Sequence, residues 1–435
     1  MKLLDNLRNF NPRWVINLVV IAVVAVNISQ MRFCRNEIIT GEVASHYTYL
    51  PAFFYENDLS FSFLNDGEQS GEKNDRYETE LSGTAGMAIS YLPFFGLAHI
   101  CAKLLDYPAD GFSAPYQFAV QFSSLVYYVI GLIFLAKLLR LHFPGFISSL
   151  TMLCLSFATN VFFYLTEGGG MPHAVSFLLA ILFIYQTVSW YQMRTIAAAA
   201  QLGLLLGALW LVEPINLLFV LVFLLYDIRR WSKVKARMKL FMIKPLHLLT
   251  IVVCCFLVML PQLILWQWSQ RGLFSGQQVH YFSERNFLEL LFGGSRGWLF
   301  YSPIMVLAIA GFFLLKAGLR MYAWAIPVFF LVYLYFAFTW CFKWYGGSYG
   351  MGVLIDIYPL LSLPLAAFLY KLRRLGGWYR RALYFTVMLL TALNIYQVIR
   401  TDHDPLNKDN RLCKAAVVHE HTALICGQVK PGMHA

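Results

Sequence analysis

Apolar residues run in long blocks along this chain, separated by short polar breaks rich in glycine, proline and aromatic residues. A helix needs about 20 mostly apolar residues to cross a bilayer, and only helices or closed barrels satisfy their own backbone there. The pattern predicts helices over 14–33, 116–139, 146–165, 174–191, 196–212, 216–226, 247–266, 299–315, 323–340, 353–370 and 382–399. That amounts to about eleven crossings. The blocks 196–212 and 216–226 are short and can merge into one helix broken around Pro214.

A further block, 83–105, is apolar yet carries Pro93 and His99. Counting it as a crossing would invert the side of every later loop, so it is predicted to be an interfacial or re-entrant helix. The first polar stretch then becomes one long loop over 34–115. Within it, 44–55 alternates polar and aromatic residues, as an amphipathic helix lying in the interface does. The stretch 65–80 is acidic and solvated, and 106–115 has turn chemistry. The expected fold is all-α: a polytopic membrane protein with about eleven transmembrane helices over 1–400. A long first extracytoplasmic loop with interfacial helices and an extracytoplasmic tail, 401–435, complete it.

Charge supplies the orientation. Basic residues gather at Arg229, Arg230, Lys233, Lys235, Arg237, Lys239 and Lys244, and again at Lys371, Arg373, Arg374, Arg380 and Arg381. With the N-terminus inside, both clusters fall on the cytoplasmic side, where positive residues accumulate. The polar breaks 166–172, 213–214, 267–298 and 341–350 then lie outside. The net charge of +11 is on this reading a topology signal, and no patch suits nucleic acid. Hydrophobic residues make up 59% of the chain and charged ones 13%, with a mean hydropathy of +0.59. Those values exclude an ordinary soluble domain. The basic start and apolar first block resemble a signal peptide, but a small-residue cleavage site is missing, so an uncleaved first helix is expected.

Cys101, Cys154, Cys254, Cys255 and Cys341 sit in or at apolar segments, as small buried side chains. Cys413 and Cys426 lie in the outer tail, a compartment that permits a disulfide between them.

Candidate chemistry lies in the outer breaks. Glu42 and His46 are one helical turn apart and share a face, either as reactive groups or as a solvated polar face. In 164–173, three glycines set Glu167 and His173 at the mouth of two helices, where a ligand can approach the backbone closely. Glu37 and Asp58 read as solvated or capping groups, and Glu213-Pro214 as a helix start whose carboxylate complements the dipole. Arg296, among glycines, can grip phosphate in a fork, or anchor a Trp/Tyr belt. Lys343 stands between aromatics, with Trp344 and Tyr345 able to stack on a sugar or a polyprenyl chain. Carboxylates and histidine are compatible with a divalent cation, Mg²⁺ or Mn²⁺, without requiring one, and no metal ligand set is assigned.

The order of "HYTYLPAFFYENDL", "GTAGMAISYLPFFGLAH", "TEGGGMPHAVSF", "SRGWLFYSP" and "WCFKWYGGSYG" resembles bacterial membrane glycosyltransferases of the GT-C type. The likeness is to members related to dolichyl-phosphate-mannose-type mannosyltransferases, and it covers roughly residues 14–370. It implies a polyprenyl-phosphate-linked sugar donor and an acidic catalytic base in the first outer loop. Carried over, those roles fall on Glu42, and on Glu167 with His173; His46, Trp344 and Tyr345 become sugar- or lipid-contacting residues. Two positions depart from the pattern. Such proteins often carry an arginine two residues beyond "YGGSYG", where this chain has Gly352, and a basic residue shortly before "GTA", where Arg76 is the nearest. The donor phosphate is therefore assigned to Arg76, Arg296 and Lys343.

The expected function is inverting transfer of a sugar from the lipid donor to an acceptor (a glycan, lipid or protein) on the outer face of a bacterial inner membrane. Membrane lipids are expected partners. Two alternatives share the compartment. A non-catalytic flippase or transporter of lipid-linked saccharide would need charged residues lining a path through the spans. A surface-polysaccharide ligase or polymerase would need a larger late outer loop.

Overall fold

The computed structural model describes residues 11–56, 84–268, 287–294, 297–315, 319–339 and 349–401. Every regular element among them is helical, so the protein is an all-α, multi-pass membrane protein. The longer helices are α1 (Arg13–Gln30), α2 (Gly41–Tyr47), α3 (Ala85–Leu104), α4 (Ala114–Arg140), α5 (Gly145–Phe157), α6 (His173–Met193) and α7 (Ile196–Val212). They are followed by α8 (Val220–Leu225), α9 (Trp231–Ile243), α10 (Pro245–Trp268), α11 (Met305–Gly311), α12 (Ala325–Thr339), α13 (Tyr358–Leu375) and α14 (Gly377–Thr401).

Eight of the described helices are long and apolar enough to cross a membrane, and four shorter apolar ones accompany them. The apolar blocks are thus helical as expected, some as full-length helices and others broken. The breaks have local causes. The block 146–165 stops at Phe157 because the Asn160 amide leaves the helix pattern to donate to the Gly350 carbonyl at 2.8 Å. The block 299–315 is interrupted at Ser302-Pro303, since proline cannot donate the next helical bond. After Pro214 the chain winds tightly over Pro214–Phe219 before α8 begins. The helices α10 and α14 present large apolar side chains outward, Val252, Leu257, Phe385 and Met388 among them, the arrangement a lipid solvent permits and water does not.

The block 83–105, expected to be interfacial, is one continuous 20-residue helix, α3, with Pro93 inside it. By length and composition it ranks with the crossings, and its contacts show which way it runs. The Tyr127 hydroxyl donates to the Ser90 carbonyl at 2.6 Å, and His99 meets the Tyr116 hydroxyl at 2.7 Å, so α3 is antiparallel to the first half of α4. Its first residues lie against the end of α7, where the Thr84 hydroxyl donates to the Leu211 carbonyl at 2.5 Å. The start of α3 thus meets the end of α7, and its second half lies beside the start of α4.

The segment 38–56 is wedged between α3 and α4. Ile38, Val43, Tyr47 and Leu50 form a second apolar core with Tyr91, Phe95 and Tyr116. The amphipathic helix expected over 44–55 therefore does not float with a wet face: residues 43–52 are all buried, and the Tyr47 hydroxyl is satisfied by the Gly111 carbonyl at 2.5 Å. Of the cysteines, Cys154 and Cys255 are buried as expected, whereas Cys101 is exposed on α3. Cys341, Cys413 and Cys426 lie outside the described residues.

Candidate functional site

The loop between Leu165 and His173 is pinned at several points. The Gln121 amide donates to the Thr166 carbonyl at 3.1 Å, the Gly170 N–H donates to the Ser124 hydroxyl at 2.9 Å, and the Tyr91 hydroxyl donates to the Gly170 carbonyl. Gly170 sits at φ +96°, and a Cβ there would press on Val120 and Val43. Glycine is required so that the loop can lie flat between α4 and α2. A bare hairpin would leave Glu167 and His173 wetted, but both are buried.

Each is committed to a different partner. Arg32, at the exit of α1, places Nη1 3.2 Å from Glu167 Oε2 and donates to the Glu167 carbonyl as well, while its Nε lies 3.3 Å from Glu37. Gln30 donates to the other Glu167 oxygen. The contacts give Glu167 the task of holding a buried guanidinium in place. His173 Nδ1 lies 3.2 Å from Asp356 Oδ1. The second Asp356 oxygen accepts from Asn216 Nδ2 at 2.7 Å, and Asn216 in turn accepts from the Tyr333 hydroxyl at 3.0 Å. Histidine and aspartate are almost fully buried, so the chain of partners fixes the ring's orientation. On the other side of the ring, His173 Nε2 and the Tyr164 hydroxyl crowd Gly352 so closely that a Cβ would overlap both. The glycine that stands where the resembled proteins often have arginine is thus dictated by local packing.

A third group completes this end. Glu42 lies in the first turn of α2 and His46 in its last; Glu213 follows α7 in extended backbone, at φ −143° and ψ 113°. Donor atoms of Glu42, His46 and Glu213 lie within 4.8 Å of one another. His46 Nδ1 is 3.2 Å from the Thr84 carbonyl. A carbonyl only accepts, so Nδ1 carries the proton and Nε2 keeps its lone pair in the neutral ring. Burial is the main cause that lowers the His46 pKa to about 4; the Thr84 hydrogen bond opposes the shift, and the nearby His173 adds a smaller lowering. The imidazole is neutral at physiological pH.

Of the residues picked out in the sequence, Glu42, His46, Glu167 and His173 gather at one end of the bundle. Arg76, Arg296, Lys343, Trp344, Tyr345 and Asp58 lie outside the described residues. Tyr349, just after the aromatic break, stacks on Phe163 at 4.2 Å between centroids, and Gly352 follows within reach of His173. Sequence reasoning missed Arg32, Asp356 and Asn216, and took Glu213 for a helix-terminal group only. Asp356 carried a signal, a carboxylate inside an apolar block. Arg32 is hidden at the end of the first apolar block, where a basic residue resembles an ordinary flank.

No protein-family model matches this chain, and none of the characterised proteins compared with it does. Fold and site together define a multi-pass helical membrane protein with a compact polar centre at one end.

Proposed function

We propose that the protein is an inverting glycosyltransferase that takes a sugar from a polyprenyl-phosphate donor and places it on an acceptor outside a bacterial inner membrane. The observation that carries this reading is the convergence of the first-loop carboxylate Glu42 with His46 and Glu213, alongside the Arg32–Glu167 and His173–Asp356 pairs, at the end where α1 leaves the bundle. Transfer with inversion needs a base on one side of the anomeric carbon and positive charge on the other. Glu42, only half-buried, takes the acceptor hydroxyl proton as the new C–O bond forms. The bond to the donor phosphate breaks with its electron pair, and the phosphate leaves on the lipid. Arg32 is the described cation best set to face that charge; Arg296, Lys343 and Arg76 are the further candidates from sequence.

The test is direct. Purified protein is offered a panel of polyprenyl-phosphate sugars, and donor-dependent thermal stabilisation and release of polyprenyl phosphate are measured. Stabilisation with release supports transfer; stabilisation without release, together with movement of the lipid-linked sugar across vesicles, would favour a flippase. Growth of a polysaccharide chain would identify a polymerase. No response to any donor would overturn the reading.

A further inference from the structure

We infer that Glu42, His46 and Glu213 form a binding site for a single divalent cation of the Mn²⁺ or Zn²⁺ class. The three side chains come from separate parts of the chain, the first-loop helix α2 and the residue after α7, yet their donor atoms converge within 4.8 Å. An ion held at about 2.1 Å from each ligand needs donor separations of about 3.0–3.4 Å. The group is therefore within small side-chain rotations of a coordinating arrangement.

The second observation is the hydrogen-bonded setting of the histidine. His46 is 5% exposed, and its Nδ1 is tied to the Thr84 carbonyl. Metal-binding histidines characteristically give their second nitrogen to a carbonyl or carboxylate, which fixes the tautomer and aims the free lone pair at the ion. Thr84 is itself held by its hydroxyl on Leu211, the residue two before Glu213, so one hydrogen-bonded chain sets two of the ligands. One residue further along, the wholly buried Gln262 uses Oε1 to accept from Ala85 N–H at 2.8 Å, and its Nε2 has no partner among the described residues.

The donor set selects the ion. One imidazole nitrogen with two carboxylates suits Mn²⁺ or Zn²⁺, whereas Mg²⁺ and Ca²⁺ favour oxygen ligands throughout. The half-buried Glu42 leaves an entry path. Any part the ion plays in transfer, by drawing charge onto the departing phosphate, rests on the reading above; binding itself does not.

The experiment uses the full-length protein in detergent, freed of affinity tag, stripped with chelator and titrated separately with Mn²⁺, Zn²⁺ and Mg²⁺. Calorimetry and elemental analysis after dialysis are expected to show one equivalent of Mn²⁺ or Zn²⁺ per chain. His46→Ala and Glu213→Gln should each weaken binding at least tenfold, and His99→Ala, on α3, should leave it unchanged. Because a buried substitution can impair folding, the wild-type Mn²⁺ complex is also examined by pulsed electron paramagnetic resonance for coupling to one imidazole nitrogen. Absence of bound ion in the wild type, absence of that coupling, or unaltered binding in well-folded His46 and Glu213 variants would overturn the proposal. Stoichiometric binding without transfer activity would count against the transferase reading alone.

Discussion

Glu42 and Gly352 show how much a single position carries. If Glu42 accepts the acceptor proton, Glu42→Gln should leave the protein folded and reduce turnover by about 10²–10⁴-fold, the usual contribution of a general base. Turnover within threefold of wild type in steady-state assays would move the base to another residue. Gly352 is a packing prediction. A methyl group there meets the Tyr164 hydroxyl and His173 Nε2, and overpacking of this kind costs about 1–3 kcal/mol. Gly352→Ala should lower the melting temperature, while Gly376→Ala, which has open space but a φ of +76°, probes backbone strain without crowding. Equal melting temperatures for wild type and Gly352→Ala would show that His173 has room to move. Glu42 was legible in the sequence because it follows the first apolar block and precedes a histidine at helical spacing. Gly352 was legible only as a departure from a pattern; its reason lies in two residues some 180 positions earlier.

Elements are joined at this end by polar contacts that the apolar blocks do not announce. Arg32 ties the exit of α1 to the loop before α6, and its side chain is 11% exposed against 2% for Glu167. Removing one partner of a buried ion pair leaves the other charge uncompensated, at a cost of about 3–5 kcal/mol. Arg32→Ala should therefore destabilise the fold markedly in thermal unfolding, and Arg32→Ala combined with Glu167→Gln should recover part of the loss. Strictly additive effects in that cycle would mean that the two side chains do not interact. Helix α13 shows a similar dependence: Asp356, just before it, is bound to α6 through His173 and to the tight turn 214–219 before α8 through Asn216. Such partners are unreadable in one dimension, since charge placement in sequence says where a group lies along a helix and nothing about what it faces.

At the scale of the molecule, charge placement predicts that the polar centre faces away from the cytoplasm. Positive residues lie along α9 and in the last turn of α13. Cysteines placed at Lys235 and Arg374, in a background with native cysteines replaced, should react with a membrane-impermeant reagent only from the cytoplasmic side; one at the exposed Tyr107 should react only from outside. Labelling of Tyr107 from inside would reverse the orientation and put α3 in a different role. What the sequence determined alone follows from solvent: blocks of apolar residues long enough to cross a bilayer leave an all-helical membrane protein as the outcome, because lipid offers no partner to a bare backbone. It also marked Glu42, His46, Glu167 and His173, since polar residues between such blocks have few places to go. The tertiary structure alone decided that Glu213 turns from a helix terminus into a companion of Glu42 and His46, that Asp356 and Arg32 have dedicated partners, and that α3 stands against half of α4. Those outcomes depend on which helices pack side by side, and that choice is made by shape and hydrogen bonding between residues far apart in the chain.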